Sequence, residues 1–260
     1  MSATTPGTVP APAPAAAPAS ARLRAQTSFE IASIFRNGEQ VMVTLLLPLL
    51  ALVVLGGTDV VDIDLGGRAR IDVVAPGVLA LAVMAAAFTS QAIATSFDRR
   101  GGVLRLMATT PLGRLGLLGG KVAAVLVLQV VQAVVVGGGA VALGWRPALP
   151  EVLAALAVGV LGTAVFTSFA MLIAGTLRFE AVLALANLLL VVLTLVGGAL
   201  VPVESFPGVT GEVARLLPSG ALGEGMRGAF DGGVALRDVV TLVVWTAGLG
   251  WATSRTFRWS

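Results

Sequence analysis

The chain has 260 residues, 57% of them hydrophobic and only 12% charged, with a formal net charge of +3. Because soluble domains carry about a quarter charged residues, this composition indicates a membrane protein. The sequence has no dense basic cluster of the kind that nucleic-acid-binding proteins use. Histidine, cysteine and tyrosine are absent, which excludes histidine-dependent triads, HExxH zinc sites and thiol chemistry, and we predict neither a catalytic residue nor a metal site.

The first 40 residues contain a tail and a helix. Residues 1–20 are uncharged and rich in alanine and proline, which is typical of disordered tails. In residues 21–40 apolar side chains recur at helical spacing, and we predict an amphipathic helix in the membrane interface that ends near Asn37 and Gly38. The alternative is an ordinary helix packed on a soluble domain. The apolar face consists of Leu23, Thr27, Ile31, Ile34 and Phe35, and the polar residues lying largely off it are Arg24, Gln26, Glu30 and Ser33.

Six apolar segments follow, each close to the roughly 20 residues that a helix needs to cross the hydrocarbon core. None alternates in the manner of a barrel strand, and helices are therefore predicted for all of them. The predicted fold is an all-α membrane protein with six transmembrane helices, in which residues 21–260 form one domain behind the tail. The segments are 41–57, 73–96, 122–144, 152–177, 181–201 and 239–254.

The basic residues predict the orientation of these segments. With both termini on one side, that side receives eleven of the 17 lysines and arginines, whereas the other side receives six of them and ten of the 14 acids. Because cytoplasmic loops carry the excess of basic residues, both termini are predicted to be cytoplasmic. The richness in arginine, alanine, valine and glycine suggests a bacterium, and hence the bacterial cytoplasmic membrane.

Two connections on the predicted outer side are longer than a plain turn. Residues 58–72 are acidic and contain glycine, and we predict an exposed loop. Residues 202–238 hold three prolines between apolar patches. The segment is too interrupted to span the membrane, yet it is longer than a plain connection requires. We predict short helices that enter the outer interface, with a simple surface loop as the alternative.

No acid, lysine or arginine lies near the middle of any of the six segments. Ion-coupled carriers usually keep such a group inside the membrane, which disfavours a secondary transporter and also a membrane-embedded enzyme. The polar side chains that remain either hold the helices together, as small and polar residues usually do, or line a translocation path. The candidates for that path are Gln91, Gln129, Gln132, Thr163, Thr167, Asn187 and Thr194.

The charged stretch FDRRGGVLRLMATTPLGR, residues 97–114, separates the second and third segments. Val103, Leu106, Met107 and Thr110 follow helical spacing, and Pro111 ends the pattern. We predict a short amphipathic helix on the cytoplasmic surface. Its arginines would anchor the topology, and its apolar side chains would suit insertion into a groove on a partner protein.

The neighbouring run GRLGLLGGKV does not form a phosphate-binding loop. The pattern G-x-x-x-x-G-K-[ST] requires glycine at position 115 and serine or threonine at position 122, where the chain has Leu115 and Val122. We therefore predict that the chain binds no nucleotide and no other cofactor itself, and that energy for uphill transport comes from a partner.

The run FDRRGGVLRLMATTPLGRLGLLGGK resembles the cytoplasmic loop of ABC-2 type transporter permeases. In that family an acidic-basic pair, a glycine, an apolar helix, a TP and a GK occur in this order. The resemblance extends over residues 21–260, with Arg105 in place of an acid often found after the glycine. The matching positions are Asp98-Arg99, Gly102, Leu104, Leu106, Thr110-Pro111 and Gly120-Lys121.

The resemblance implies the membrane subunit of an ABC exporter. In that family two six-span subunits pair, and separate ATPase subunits, which bind ATP and magnesium, dock on the loop, called the coupling helix. Residues 99–111 would be that helix, and 202–230 the re-entrant helices near the exit. The family's substrates include drugs, lipids, polysaccharides and haem; an ion-coupled transporter and a membrane scaffold or enzyme are the alternatives. The implied ATPase contacts are Asp98, Arg99, Arg100, Val103, Leu106, Met107, Thr110 and Pro111.

Overall fold

The structure, a computed structural model, describes residues 17–58 and 67–257, and every regular element in these two stretches is a helix. The predicted all-α class is confirmed. Most of the predicted tail and of the predicted loop 58–72 lie outside the described residues. The helices are α1 Ala19–Arg36, α2 Gly38–Gly57, α3 Arg70–Met84, α4 Gln91–Arg100, α5 Val103–Ala108, α6 Gly113–Ala142, α7 Leu149–Thr176, α8 Phe179–Leu195, α9 Val209–Leu216, α10 Pro218–Ala229 and α11 Leu236–Thr256.

Three helices in the described part of the chain are long and apolar enough to cross a membrane. They are Arg70–Arg100, Gly116–Ala142 and Leu149–Thr176, and the first of them comprises α3, a π-helical turn and α4. A fourth results if α1 and α2, which meet at a bend of 70°, are counted together, and α8 is apolar but shorter. The chain is thus a membrane protein with several apolar spans, and the count of six stays a prediction.

Two predicted boundaries are wrong. The third segment was expected from residue 122, yet α6 already begins at Gly113, because α1 packs against its first turns and extends the helix beyond the apolar run. The fifth segment was expected to reach residue 201, yet α8 ends at Leu195. The chain turns there at Gly198, whose φ of +76° is left-handed and suits glycine.

The centre of the molecule is α7, which packs against α11, α4 and α10. Its apolar residues surround the whole helix, as expected of a helix that is buried on several sides. Phe166 makes an edge-to-face contact with Phe88, which lies in the π-helical turn Ala85–Ser90. At Gly162 a β-carbon would lie 2.6 Å from Leu222 Cδ1. Gly162 therefore admits α10 into close contact with α7.

The segment between α8 and α11 is helical, as predicted, and its second helix is buried. Within α10 a β-carbon at Gly220 would overlap the backbone of Ala214 in α9, and one at Gly223 would overlap the backbone of Gly198 and Ala199 in the turn after α8. Ser219 donates to the carbonyl of Gly197 at 2.9 Å, so the end of α8 and α10 are bonded to each other. A simple surface loop is excluded, whereas entry into the membrane interface stays a prediction.

The bundle has two ends, which are named here after their short helices. The α5 end contains α5, the end of α4, the start of α6 and the ends of α7 and α11, with α1 beside them. The α10 end contains α9, α10, the connection 143–148 and the starts of α3 and α11. Both ends carry charged side chains, and the buried cations at the two ends bond to different kinds of partner.

Candidate functional site

The predicted surface helix at the α5 end exists as α5, a helix of six residues. Gly102 precedes it with a φ of +76°, a left-handed conformation that glycine adopts without strain. The hydroxyl of Thr109 donates to the carbonyl of Leu106, and that of Thr110 to Met107, both at 2.7 Å. The backbone N–H groups of Thr109 and Thr110 bond to the same two carbonyls, and the carboxyl end of this short helix is thereby held by both backbone and side-chain bonds.

One side of α5 is anchored and the other is exposed. Leu104 is completely buried against Leu117, Met171 and Phe257. Leu106 is 70% exposed, whereas the two other apolar side chains of the predicted face, Val103 and Met107, are half-buried, and Thr110 and Pro111 are exposed. Of the predicted apolar contacts, Leu106 is thus the side chain that projects furthest from the protein.

A buried ion cluster lies behind α5, one turn along α6 from Leu117, against which Leu104 packs. The Lys121 ammonium is fully buried and lies 3.0 Å from Glu30 Oε2 and 3.2 Å from Asp98 Oδ2. Glu30 is itself buried and accepts a hydrogen bond from the Gln26 amide at 2.8 Å. Because a buried charge is costly unless it is paired, the cluster ties α1, α4 and α6 together.

The prediction for α1 was correct in its end at Asn37 and wrong in part of its polar face. Gln26 and Glu30 were placed off the packing face, but both are buried. They turn inward because Gly120 leaves room: a β-carbon there would lie 2.5 Å from Gln26 Cγ. Phe29, by contrast, is 52% exposed. In this part of α1 the two polar side chains therefore face the protein, and Phe29 faces outward.

The two arginines before α5 are engaged within the chain. Arg99 donates to the carbonyls of Ala174 and Leu177 at 2.8 and 3.0 Å, which caps the end of α7. The Arg100 guanidinium lies 4.9 Å from the centre of the Phe179 ring. On the other side, Arg22 donates to the carbonyl of Pro111. The segment around α5 is thereby bonded to α1, α7 and α8.

The polar side chains proposed for a translocation path fall into separate groups. Gln129 and Gln132 line one groove between α6 and α7, and the Thr163 hydroxyl lies 2.7 Å from Gln129 Oε1. Gln91 and Thr167 are buried in the core, each with an oxygen that has no hydrogen-bond partner.

The two candidates on α8 lie apart from that groove. Asn187 is exposed and donates to the carbonyl of Leu183 at 2.8 Å. Thr194 is buried and bonds to the carbonyl of Leu190 at 2.6 Å, also within its own helix. In the single chain, therefore, Gln129, Gln132 and Thr163 come together, and the other four do not join them.

The sequence reasoning missed the partners of Lys121, which it placed at the mouth of a span. Lys121 is the only lysine among 17 basic residues, and a compact ammonium fits between two carboxylates better than a broad guanidinium does. That lone lysine, next to the Gly119-Gly120 pair, was the available signal. It could not indicate Glu30, which lies 91 positions away in the chain.

The long apolar helices, with charged side chains gathered at the two ends of the bundle, define a polytopic helical membrane protein. Residues 22–230 match the model of the ABC-2 type transporter family, and the chain therefore belongs to that family. The membrane domain of this family is a non-catalytic transmembrane subunit of an ABC transporter and works with an ABC ATPase. A comparison with curated proteins finds no match.

Proposed function

We propose that the chain is the membrane subunit of an exporter that moves an amphipathic, lipidic or drug-like molecule outward, as multidrug efflux systems do. Its family supports ATP-driven transport, and apolar spans with a few amides suit such a substrate. The energy comes from separate ATPase subunits, which bind ATP and magnesium.

The proposed topology has six crossings within one domain of residues 21–260, preceded by the tail 1–20. The fifth crossing is α8 and the sixth is α11, and α1 lies in the interface with lipid. The α5 end faces the bacterial cytoplasm together with both termini, and α9 and α10 form a re-entrant segment near the exit. The excess of basic residues on the α5 side supports this orientation.

A second six-span subunit, identical or different, completes the proposed transporter. Support comes from α8, whose outward face exposes apolar side chains beside the Asn187 amide: Leu188 is 59% exposed, Val191 53% and Leu195 56%. Paired across this face, two subunits would bring their Asn187 side chains to the interface, where the predicted translocation path would run.

The ATPase is proposed to dock on the segment 99–111, with Leu106 as the principal apolar contact. The observation that carries this proposal is the contrast within α5: Leu104 is fully buried and Leu106 is 70% exposed. An exposed apolar side chain on a rigidly held helix suits a hydrophobic groove on a partner. The ion cluster behind α5 connects a push on Leu106 to α1, α4 and α6.

The substitution Leu106→Asp tests this role. Burying a carboxylate in an apolar groove carries a desolvation cost, and we expect ATPase co-purification and ATP-driven transport to fall at least tenfold. Membrane insertion and the melting temperature of the isolated chain should stay unchanged, because Leu106 makes little contact within it.

Leu149→Asp is the matched control for that substitution. Leu149 is 71% exposed, nearly the same as Leu106, but it lies at the α10 end as the first residue of α7, where a carboxylate is well tolerated. It should leave ATPase binding intact. Equal ATPase binding by the Leu106→Asp variant and the unsubstituted chain would contradict the docking proposal.

A further inference from the structure

A lateral groove in the α10 half of the bundle has a volume of about 420 Å³, within the range of small-molecule sites. One wall is α6 and the other is α7, with α3 as the floor. The aromatic pair Trp145 and Phe230, whose ring centres are 4.7 Å apart, borders it towards the α10 end. The groove opens sideways, since Val130 and Val160 on its two rims are 56% and 46% exposed.

The groove opens where a membrane protein meets hydrocarbon, because α6 and α7 are both long apolar helices suited to crossing the bilayer. No charged side chain lines it, and its surface is almost wholly apolar. A charged ligand would lose its hydration there without compensation. The occupant must therefore be neutral and mostly apolar, and the bilayer supplies it.

Two glutamine amides in the deep part of the groove each have a buried polar atom without a hydrogen-bond partner. The Gln132 Nε2 group donates to the backbone carbonyl of Thr44 at 3.1 Å, which fixes the orientation of this amide and leaves Oε1 buried without a donor. The residue as a whole is only 1% exposed. A buried acceptor without a partner is costly, and a ligand that brings a donor removes that cost.

The amide of Gln129 adds a hydrogen-bond donor to the acceptor that Gln132 provides. Its Oε1 lies 2.7 Å from the Thr163 hydroxyl, and its buried Nε2 has no partner. The Thr163 hydroxyl also lies 2.7 Å from the carbonyl of Gly159. Because a hydroxyl can donate or accept, either orientation of the Gln129 amide leaves one of its groups for a further partner.

We infer that this groove binds one neutral long-chain molecule with a hydroxyl group, taken from the bilayer. The chain lies along the apolar walls, and the hydroxyl donates its one proton to Gln132 Oε1 and accepts a hydrogen bond from Gln129 Nε2. A hydroxyl is the smallest group that both donates and accepts. The inference adds a ligand class to the proposed exporter but requires neither the ATPase nor a direction of transport.

The test uses the full chain in lipid nanodiscs and two photoreactive probes. One is hexadecan-1-ol with a diazirine in mid-chain, and the other is the matched hexadecane without the hydroxyl. The alcohol should label the protein about fivefold more strongly, the effect of one buried hydrogen bond. Its adducts should map to peptides containing Val130, Leu156 or Val160. Adducts elsewhere, or equal labelling by the two probes, would overturn the inference.

Two adjacent glycines provide the steric variant and its control. A β-carbon at Gly137 or at Gly138 meets no atom within 4 Å, but only Gly137 lines the groove. Gly137→Leu should fill the groove and reduce labelling by the alcohol at least fivefold. Gly138→Leu raises helix propensity equally and should leave labelling unchanged. Equal labelling of both variants would refute a ligand in the groove.

Substitution of Gln129 tests the polar contact separately. Gln129→Leu keeps the size of the side chain, and Thr163 retains its bond to Gly159. Labelling by the alcohol should fall about fivefold, whereas labelling by the alkane should not change. If Gly137→Leu instead abolished self-association while labelling persisted, the groove would be an interface with a second copy, and the inference would fail.

Discussion

At the α5 end a buried lysine bonds to two carboxylates, whereas at the α10 end a buried arginine bonds to two backbone carbonyls and one carboxylate. Lys121 lies between Glu30 and Asp98. Arg227 donates to the carbonyls of Gly198 at 2.7 Å and Ala199 at 3.2 Å. Each cation is buried, but the partners differ in kind.

The partners indicate what each cation holds. The Lys121 cluster joins three helices that each keep their own backbone bonds, and it positions whole helices relative to one another. Arg227 bonds to the turn where α8 has ended, and it also bonds to Glu224, which accepts from the amide of Val203 at 2.9 Å. It thereby satisfies buried non-helical backbone between α8 and α10, whose carbonyls lack a partner within a helix.

This difference suggests that the two ends of the bundle have different roles. The α5 end combines rigid links between helices with one projecting apolar side chain, an arrangement suited to passing on movement from a docked partner. The α10 end combines a non-helical turn with a buried helix, and beside it lies the groove closed by Phe230. A movement of the α6 and α7 helices at the α5 end would reach the groove, since both helices form its walls.

The largest expected effect is that of Lys121→Met. It removes the cation and leaves two carboxylates with no counter-ion, and breaking a buried pair in this way costs about 3 kcal/mol. The apparent melting temperature of the purified protein should fall by several degrees. Adding Glu30→Gln should restore part of the loss, because the remaining buried charge is then smaller.

Arg105→Met is the control for this substitution. Arg105 belongs to α5, close to the cluster, but is exposed, and its removal should change the melting temperature by less than a degree. If Lys121→Met were equally harmless, the cluster would not hold the three helices together and the contrast between the two ends would disappear.

A smaller loss is expected for Arg227→Met at the α10 end. The substitution leaves two carbonyls without their donor and Glu224 without its counter-ion, at a cost of about 2 kcal/mol. Protection of the amides in α10 and in the turn after α8 against hydrogen exchange should fall, while that of α1 should not. Lys121→Met should show the opposite pattern.

Arg215→Met tests whether the burial of an arginine, rather than its charge alone, stabilises the α10 end. Arg215 pairs with Glu204 at 2.8 Å, but Glu204 is 62% exposed and Arg215 only half-buried, and such surface pairs contribute little. Hydrogen exchange in α10 should remain as in the unsubstituted protein. A loss of protection similar to that of Arg227→Met would mean that buried bonding to the backbone is not the important feature of this end.

The smallest expected effect concerns Asp238 in the first turn of α11. Burial raises the pKa of this carboxyl above its ordinary value of 3.8, Glu224 adds to the rise, and Arg237 opposes it. The folded state therefore holds the proton more tightly than the unfolded state, and stability falls as pH increases from 3.8 through the raised pKa.

Asp238→Asn should accordingly make the protein slightly more stable than the parent at pH 7, with the difference vanishing towards pH 4. Melting curves across this range provide the measurement. Asp231→Asn is the control, since Asp231 is 62% exposed in its pair with Arg68. A difference between Asp238→Asn and the parent that does not change between pH 4 and pH 7 would show that Asp238 does not behave as a buried acid.

The sequence predicted those elements whose signal is local. Apolar run lengths identified α7 to within three residues at each end, and the spacing within residues 97–114 predicted α5. Local spacing did not reveal which side of α5 is anchored, because Leu104 meets Met171 and Phe257 from distant helices. The π-helical turn Ala85–Ser90 also has no marker in the run AAAFTS.

Within the proposed site, too, local sequence predicted some features and only the fold revealed the others. The run from Asp98 to Lys121 was sufficient to indicate the ABC-2 type transporter family, which the family model confirms over residues 22–230. The seven polar candidates for a path shared residue type and depth in the segments, and only the fold could group them. Gln129 and Thr163 meet because α6 and α7 are antiparallel neighbours, whereas Asn187 lies on a free face of α8.

Composition and local spacing by themselves determined the membrane class, the helical form and the segment that carries the family resemblance, because each follows from the run of side chains along one stretch of chain. Tertiary structure alone decided that Lys121 is shared between Glu30 and Asp98, that Arg227 bonds to the end of α8, and that two glutamine amides border an apolar groove. These features depend on contacts between residues far apart in the chain, and burial determines their energies.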